Sequence, residues 1–525
     1  MEKTEGMSKE IKRQMRLAMP LSVANLLMFA LQFVSIMLVG HISHQKLAGA
    51  SIAISFVNSI GFSVLMGVSS ALDTLCGQSY GAENYKMVGL HLQRAMVICV
   101  LASIPLAFAM AFSGTLLILL RQVPEISMAA QSYAQLMIPS LFAFGLIQCI
   151  LRFLQAQKIV VPIMLSAGMT AIFHCVNCWF FTFKTGLGYR GAALSVSISY
   201  WFNLLLLVIY VIFSPSCKST WTGLSRGAFH GLWDFLKLAI PSTLMVCFQN
   251  WQFELLLLLA GLLTNPELQT SLMSISQNIS SLVYVIPLGV SGAVSTRISN
   301  ELGAKNPRAA VLAVLSAAIS IIIEGLVVGF VMIGGRQLWG HAYTSERVVV
   351  NAVAAMISII IEGLVVGFVM IGGRQLWGNA YTSERVVVNA VAAMVPWIAL
   401  SHCIDGFQCV LLGTIRGSGK QMVGAFVCLG SYYLVGIPAS ILLGFVFHLG
   451  VKGLWIGNIC AILVQDLVLL TMTVFTDWEK QVTKAMERVQ PSEKPSSPLT
   501  SDPNYWIFNT HALVSSFSIS FDSSE

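Results

Sequence analysis

Thirteen runs of consecutive apolar residues, each about the length of a membrane-spanning helix, constrain this chain more than any other feature. They fall at 17–40, 47–72, 95–118, 129–151, 159–183, 191–213, 235–263, 270–294, 309–333, 348–373, 386–412, 421–447 and 453–475. About 20 apolar residues in a helix cross the hydrocarbon core. Only helices or closed barrels satisfy their own backbone polar groups there, and runs of this length read as helices. The 525-residue chain has little room left for a large soluble catalytic domain. Charged residues make up 10% of it, against roughly 25% in soluble domains. Its 30 Lys and Arg are spread singly between apolar segments. They form no basic face for nucleic acid and read as topology signals. Met1 to Arg16 is charged and leads straight into the first run, as expected of a signal anchor and not of a cleaved signal peptide.

Motifs for enzyme chemistry are missing. Cys175 and Cys178 form the one close cysteine pair and have no second pair to complete a metal site. The string GTIRGSGKQ at Gly413 departs from a phosphate-binding loop: Thr414 stands where the first Gly is required, and Gln421 replaces the hydroxyl that holds magnesium. No HExxH or comparable catalytic constellation occurs. The expectation is a non-enzyme with no cofactor and no metal.

Internal repeats set the architecture. GVSSALDTLCGQSYGAEN from Gly67 aligns with GVSGAVSTRISNELGAKN from Gly289, pairing Ala71 with Ala293, Thr74 with Thr296, Gly81 with Gly303 and Asn84 with Asn306. Leu17-Ala18-x-Pro20 pairs with Leu238-Ala239-x-Pro241, Gly40 with Gly261, and LGYRG at Leu187 with LGVKG at Leu449. The halves repeat in the same order, which predicts two six-helix lobes, 1–227 and 228–478, followed by a polar, Ser/Pro-rich, disordered tail at 479–525. Ile319 to Met356 recurs as Ile357 to Met394 with the single change of His341 to Asn379. This tandem copy lengthens the second half and adds the extra run at 348–373. Twelve spans place more Lys and Arg on the cytoplasmic side than thirteen do, with both termini inside. The expectation is that one copy fills the ninth position while the other is displaced from the bundle. Pro20 and Pro241 mark either helix starts or paired hinges.

Parallel six-span halves are the architecture of secondary transporters, in which the site lies between halves that rock. The repeat alone also allows an ion channel or a lipid flippase, and the copy allows an inactive product of a misread gene. An acid at mid-helix costs roughly 2.5–3.5 kcal/mol on insertion scales, so each one in an apolar span asks for a reason. Glu254 sits mid-span after Gln249, Asn250, Trp251 and Gln252, and Asp405 lies near His402 and Gln408. These two are the leading proton-coupling candidates. Asp73, Glu324 with its copy Glu362, and Asp466 follow. His174 and Asn177 share one helix face, as a polar cavity group or as helix-to-helix hydrogen bonds. Trp251, Phe253 and Tyr432 offer faces for a cation. Arg94, Arg152, Arg297 and Arg416, at helix ends, read as snorkelling topology signals.

The strings ALDTLCGQSYGAEN at Ala71, RFLQAQ at Arg152, WQFELLLLLAGLL at Trp251, STRISNELGAKNP at Ser295 and LGSYYLVGIP at Leu429 resemble multidrug and toxic compound extrusion (MATE) transporters, particularly the plant branch. The resemblance runs from about Lys12 to Val489. It implies a twelve-helix, two-lobed, proton-coupled antiporter, a monomer in the bilayer, exporting small organic, often cationic, compounds across the plasma membrane or into the vacuole. It maps the family's carboxylates of the seventh and tenth helices to Glu254 and Asp405. The plant pattern often carries a second Glu five residues before the first, where this chain has Gln249.

Overall fold

The computed structural model describes residues 2–119, 122–334 and 385–489, and among them every regular element is a helix. Twelve are long and apolar enough to cross a membrane: α1 (Gly6–Gly40), α2 (Gln45–Gly81), α3 (Tyr85–Ala111), α4 (Pro124–Ala156), α5 (Val161–Phe183), α6 (Tyr189–Phe213), α7 (Leu232–Ala260), α8 (Pro266–Gly303), α9 (Pro307–Ile333), α10 (Ala390–Ser418), α11 (Gln421–Val446) and α12 (Val451–Val474). The first copy of the tandem repeat ends α9 and the second begins α10. The extra run at 348–373 and Glu362 lie outside the described residues.

Pro20 and Pro241 both lie well inside continuous helices. They are therefore interior interruptions of the hydrogen-bond ladder, and the helix-start reading does not hold. Residues 479–489, placed in the tail by composition, belong to α13 (Trp478–Val489). Gln481, Ala485 and Val489, spaced one helical turn apart, are its buried face, so one side of the helix docks it where net polarity suggested disorder.

Helices α1 to α6 and α7 to α12 each pack among themselves, and the two sets meet along α1, α2, α7 and α8. The contacts α1–α8 and α2–α7 exchange under the internal repeat. Small residues let these backbones touch. A Cβ at Gly81 would run into the Asn300 carbonyl oxygen, and one at its repeat partner Gly303 would run into that of Gln78. The repeat that relates Gly67 to Gly289 thus runs along the interlobe seam itself.

Candidate functional site

Charge on this seam is concentrated at one end. Asp73 of α2 is buried between Arg152 of α4, at 3.4 Å, and Arg416 of α10, at 3.9 Å. Arg297 of α8 holds Glu10 of α1 through both carboxylate oxygens, at 2.7 and 3.0 Å, and reaches Glu301 at 2.7 Å. Gln421 donates to Thr74, Gln155 to the Gly292 carbonyl, and Asn300 to the Ala156 carbonyl. Arg488 of α13 donates to Gln78 of one lobe and to the Ser418 and Gly419 carbonyls of the other. Arg152, Arg297 and Arg416 are all buried. They do not snorkel: buried carboxylates draw them inward, Asp73 of its own lobe for Arg152 and Glu10 and Asp73 of the facing lobe for Arg297 and Arg416, where a paired guanidinium is tolerated.

From that basic end the α2–α7 seam runs antiparallel. The Ser63 hydroxyl meets the Cys247 thiol, the Trp251 indole donates to the Ser59 carbonyl at 2.8 Å, and the Ser59 hydroxyl donates to Glu254 Oε1 at 2.9 Å. Among the described residues no interlobe hydrogen bond lies beyond Glu254, so the lobes are joined at the basic end and part toward the opposite one. Ser59 belongs to a π-helical segment, Val57–Phe62, of the kind that re-aims side chains at functional sites. Trp251 is 37% exposed in this cleft. Phe248 packs edge-on to it, with ring centroids 6.4 Å apart, and to Tyr433, at 5.5 Å. The aromatic group beside Glu254 therefore takes Tyr433. Tyr432 is buried inside the C-terminal lobe.

The polar run before Glu254 fans around the helix. Gln249 donates to the Tyr284 hydroxyl of α8 at 3.2 Å and Gln252 to Asn458 of α12 at 2.9 Å. Asn250 is exposed.

Asp405 belongs to a separate group inside the C-terminal lobe. It is 5% exposed and has no hydrogen-bond partner among the described residues. Tyr284, Tyr432 and Asp466 lie within electrostatic reach of it. One turn along α10, Gln408 donates to Tyr432 at 2.5 Å and to Gln465 at 2.8 Å. The buried Oδ1 of Asp466 has no partner. One turn the other way, His402 lies 3.1 Å from Glu324 of α9. Glu254 and Asp405 are thus two stations, one between the lobes and one within a lobe.

His174 and Asn177 lie within the N-terminal lobe. His174 sits between the Ser35 and Ser199 hydroxyls, at 3.0 and 2.9 Å, and Asn177 donates to the Ser195 carbonyl at 3.2 Å. Together they bind α1, α5 and α6 to one another. Ser59, Tyr284 and Tyr433 escaped the sequence reading. Ser59 depends on a local π turn that apolar periodicity does not encode, and an isolated Tyr in an apolar span carries no pattern. The adjacent Gln465-Asp466 pair in α12 was the available signal for the polar interior.

Comparison with known proteins places this arrangement. The MatE family model matches residues 20–180, 241–371 and 360–442. Protein DETOXIFICATION 16 of Arabidopsis thaliana is 47% identical over 503 residues, covering 96% of each chain. Protein DETOXIFICATION 17 of the same plant is 46% identical, over 92% of this chain and 94% of its own length. The crystal structure of the eukaryotic MATE transporter AtDTX14 is 37% identical and superposes with a TM-score of 0.83, over 92% of this chain and all of that one. A MATE structure in the straight conformation shares the fold at 15% identity, with a TM-score of 0.71 over 91% of this chain and 97% of its own. With its two lobes joined at a seam written in the repeat, this chain belongs to the MatE family of multidrug and toxic compound efflux transporters.

Proposed function

We propose that the protein is a proton-coupled antiporter that expels organic, often cationic, small molecules, with Glu254 and Asp405 as the groups that exchange protons for cargo. The observation that carries this reading is Asp405: a carboxyl group buried in a helical lobe with no hydrogen bond among the described residues. A buried carboxyl group with no fixed hydrogen bond is available to bind a proton and to release it when a cation arrives. Glu254 supplies the link to movement, because the bond it accepts from Ser59 spans the two lobes, and bonds to an ionised carboxylate are stronger than those to a neutral one. Protonation of Glu254 weakens that bridge and removes the charge that holds a cation beside Trp251 and Tyr433.

The positive-inside rule assigns the basic end to the cytoplasm. The cleft then faces outward, toward the cell exterior or the vacuolar lumen, and the seam acts as the closed inner gate of a monomer. Each pH unit across the membrane supplies about 1.4 kcal/mol per proton, enough for roughly tenfold uphill export.

In proteoliposomes under an imposed proton gradient, Glu254→Gln is expected to abolish uphill efflux of an organic cation while the protein still reaches the membrane. Efflux at the parent rate would remove Glu254 from the mechanism. Movement that persists after the gradient is collapsed would replace the antiporter with a channel.

A further inference from the structure

Glu324 on α9 and His402 on α10 are a buried pair that the exchange of protons at Glu254 and Asp405 leaves unused. His402 is 1% exposed. Its Nε2 lies 3.1 Å from Glu324 Oε1, so the ring donates there, and Glu324 Oε2 is buried with no partner. A proton fixed on Nε2 leaves Nδ1 as the basic nitrogen, and Nδ1 has no partner among the described residues. His402 and Asp405 stand three residues apart on one helix, the spacing that puts side chains on the same face. His174 has both ring nitrogens held by serine hydroxyls; His402 has one anchored on a carboxylate and one free beside a buried acid.

We infer that His402, held by Glu324, is the relay through which Asp405 gains and loses its proton. The O–H bond of protonated Asp405 breaks, an N–H bond forms at His402 Nδ1, and the Glu324 carboxylate neutralises the imidazolium. Reversing the step returns the proton, and no other reactant is required. This inference rests on the antiport reading. Asp405 lies within electrostatic reach of His402 and Cys403 within reach of Glu324, both on α10; Tyr284 of α8, Tyr432 of α11 and Asp466 of α12 lie within reach of Asp405. Asp73 of α2 meets α10 farther along, already paired with Arg416.

The test measures transport of ethidium in proteoliposomes at constant proton gradient over a series of absolute pH values. Because residues 357–394 repeat 319–356, Glu362 is replaced together with Glu324. Loss of the neutralising carboxylate lowers the proton affinity of the relay, so Glu324→Gln/Glu362→Gln is expected to move the midpoint of the profile about one unit toward acid pH. Maximal rate at low pH is retained, and Glu324→Asp restores the parent midpoint. His402→Gln is expected to flatten the profile. If the double variant fails to reach the membrane, the His402→Gln profile decides. Midpoints that coincide with the parent, or variants that lose only amplitude, would overturn the relay while leaving antiport intact. A parent profile with no dependence on the gradient would overturn both.

Discussion

The seam between the lobes and the interior of the C-terminal lobe both bury charge, and they do so in opposite ways. At the seam, Asp73 has Arg152 and Arg416, and Arg297 has Glu10 and Glu301. Inside the C-terminal lobe, Asp405 and one oxygen of Asp466 have no partner among the described residues. Paired charges fix geometry, since neither member leaves without stranding the other. An unpaired acid contributes nothing to folding that a neutral group would not, and its one distinctive property is to change protonation. The contrast separates the paired charges that hold the basic end of the seam from the unpaired acid to which the proposed function gives a part in coupling.

The largest expected effect lies at the seam. Asp73→Asn leaves two buried guanidiniums without their counter-charge, and removing one partner of a buried ion pair costs about 3–5 kcal/mol. Thermal unfolding in detergent should register a large fall in midpoint. A midpoint near the parent value would show that the seam is solvated and break the comparison.

A smaller loss is expected in the N-terminal lobe. His174→Ala removes two hydrogen bonds and leaves a void, a cost of about 1–3 kcal/mol. The pH profile of transport should not move, because the Ser35 and Ser199 hydroxyls already use both ring nitrogens. A shifted profile would bring His174 into the coupling machinery.

Asp405→Asn should do the reverse. Stability is expected to stay within about 1 kcal/mol of the parent or to rise, since a buried carboxyl group with no hydrogen-bond partner is exchanged for an amide of the same shape. Gradient-driven transport should disappear. Destabilisation comparable to that of Asp73→Asn would mean that Asp405 is a structural residue after all.

Much of this was legible in the residues. The apolar spans, their reduction from thirteen to twelve, the parallel halves and the few acids inside apolar helices follow from run length, offset, charge placement and composition, which are read along the chain and need no contact between helices. The repeat at Gly67 and Gly289 even located the seam, although only packing reveals that Gly81 and Gly303 are where backbones touch. What stayed hidden depends on contacts between helices. Snorkelling and buried pairing of Arg152 and Arg416 with Asp73 give the same sequence. Ser59 meets Glu254 through a π turn, and Tyr433 instead of Tyr432 faces the cleft because α11 also runs through a π segment, Gly430–Gly436.

The smallest effect is expected from the feature that looks most disruptive in the sequence. Helix α9 ends at Ile333 within the first tandem copy, and α10 begins at Ala390 within the second. Ala390 corresponds to Ala352 in the first copy, so one copy carries the sequence of both the described end of α9 and the described start of α10. Deleting residues 357–394 therefore removes no element of the bundle and leaves both Glu324 and the approach to His402 in place. The shortened protein should transport at the parent rate and reach the membrane at least as well, measured by efflux per molecule and by yield. A shortened chain that no longer folds would show that the second copy holds the lobe together, and the count of twelve functional spans would have to be revised.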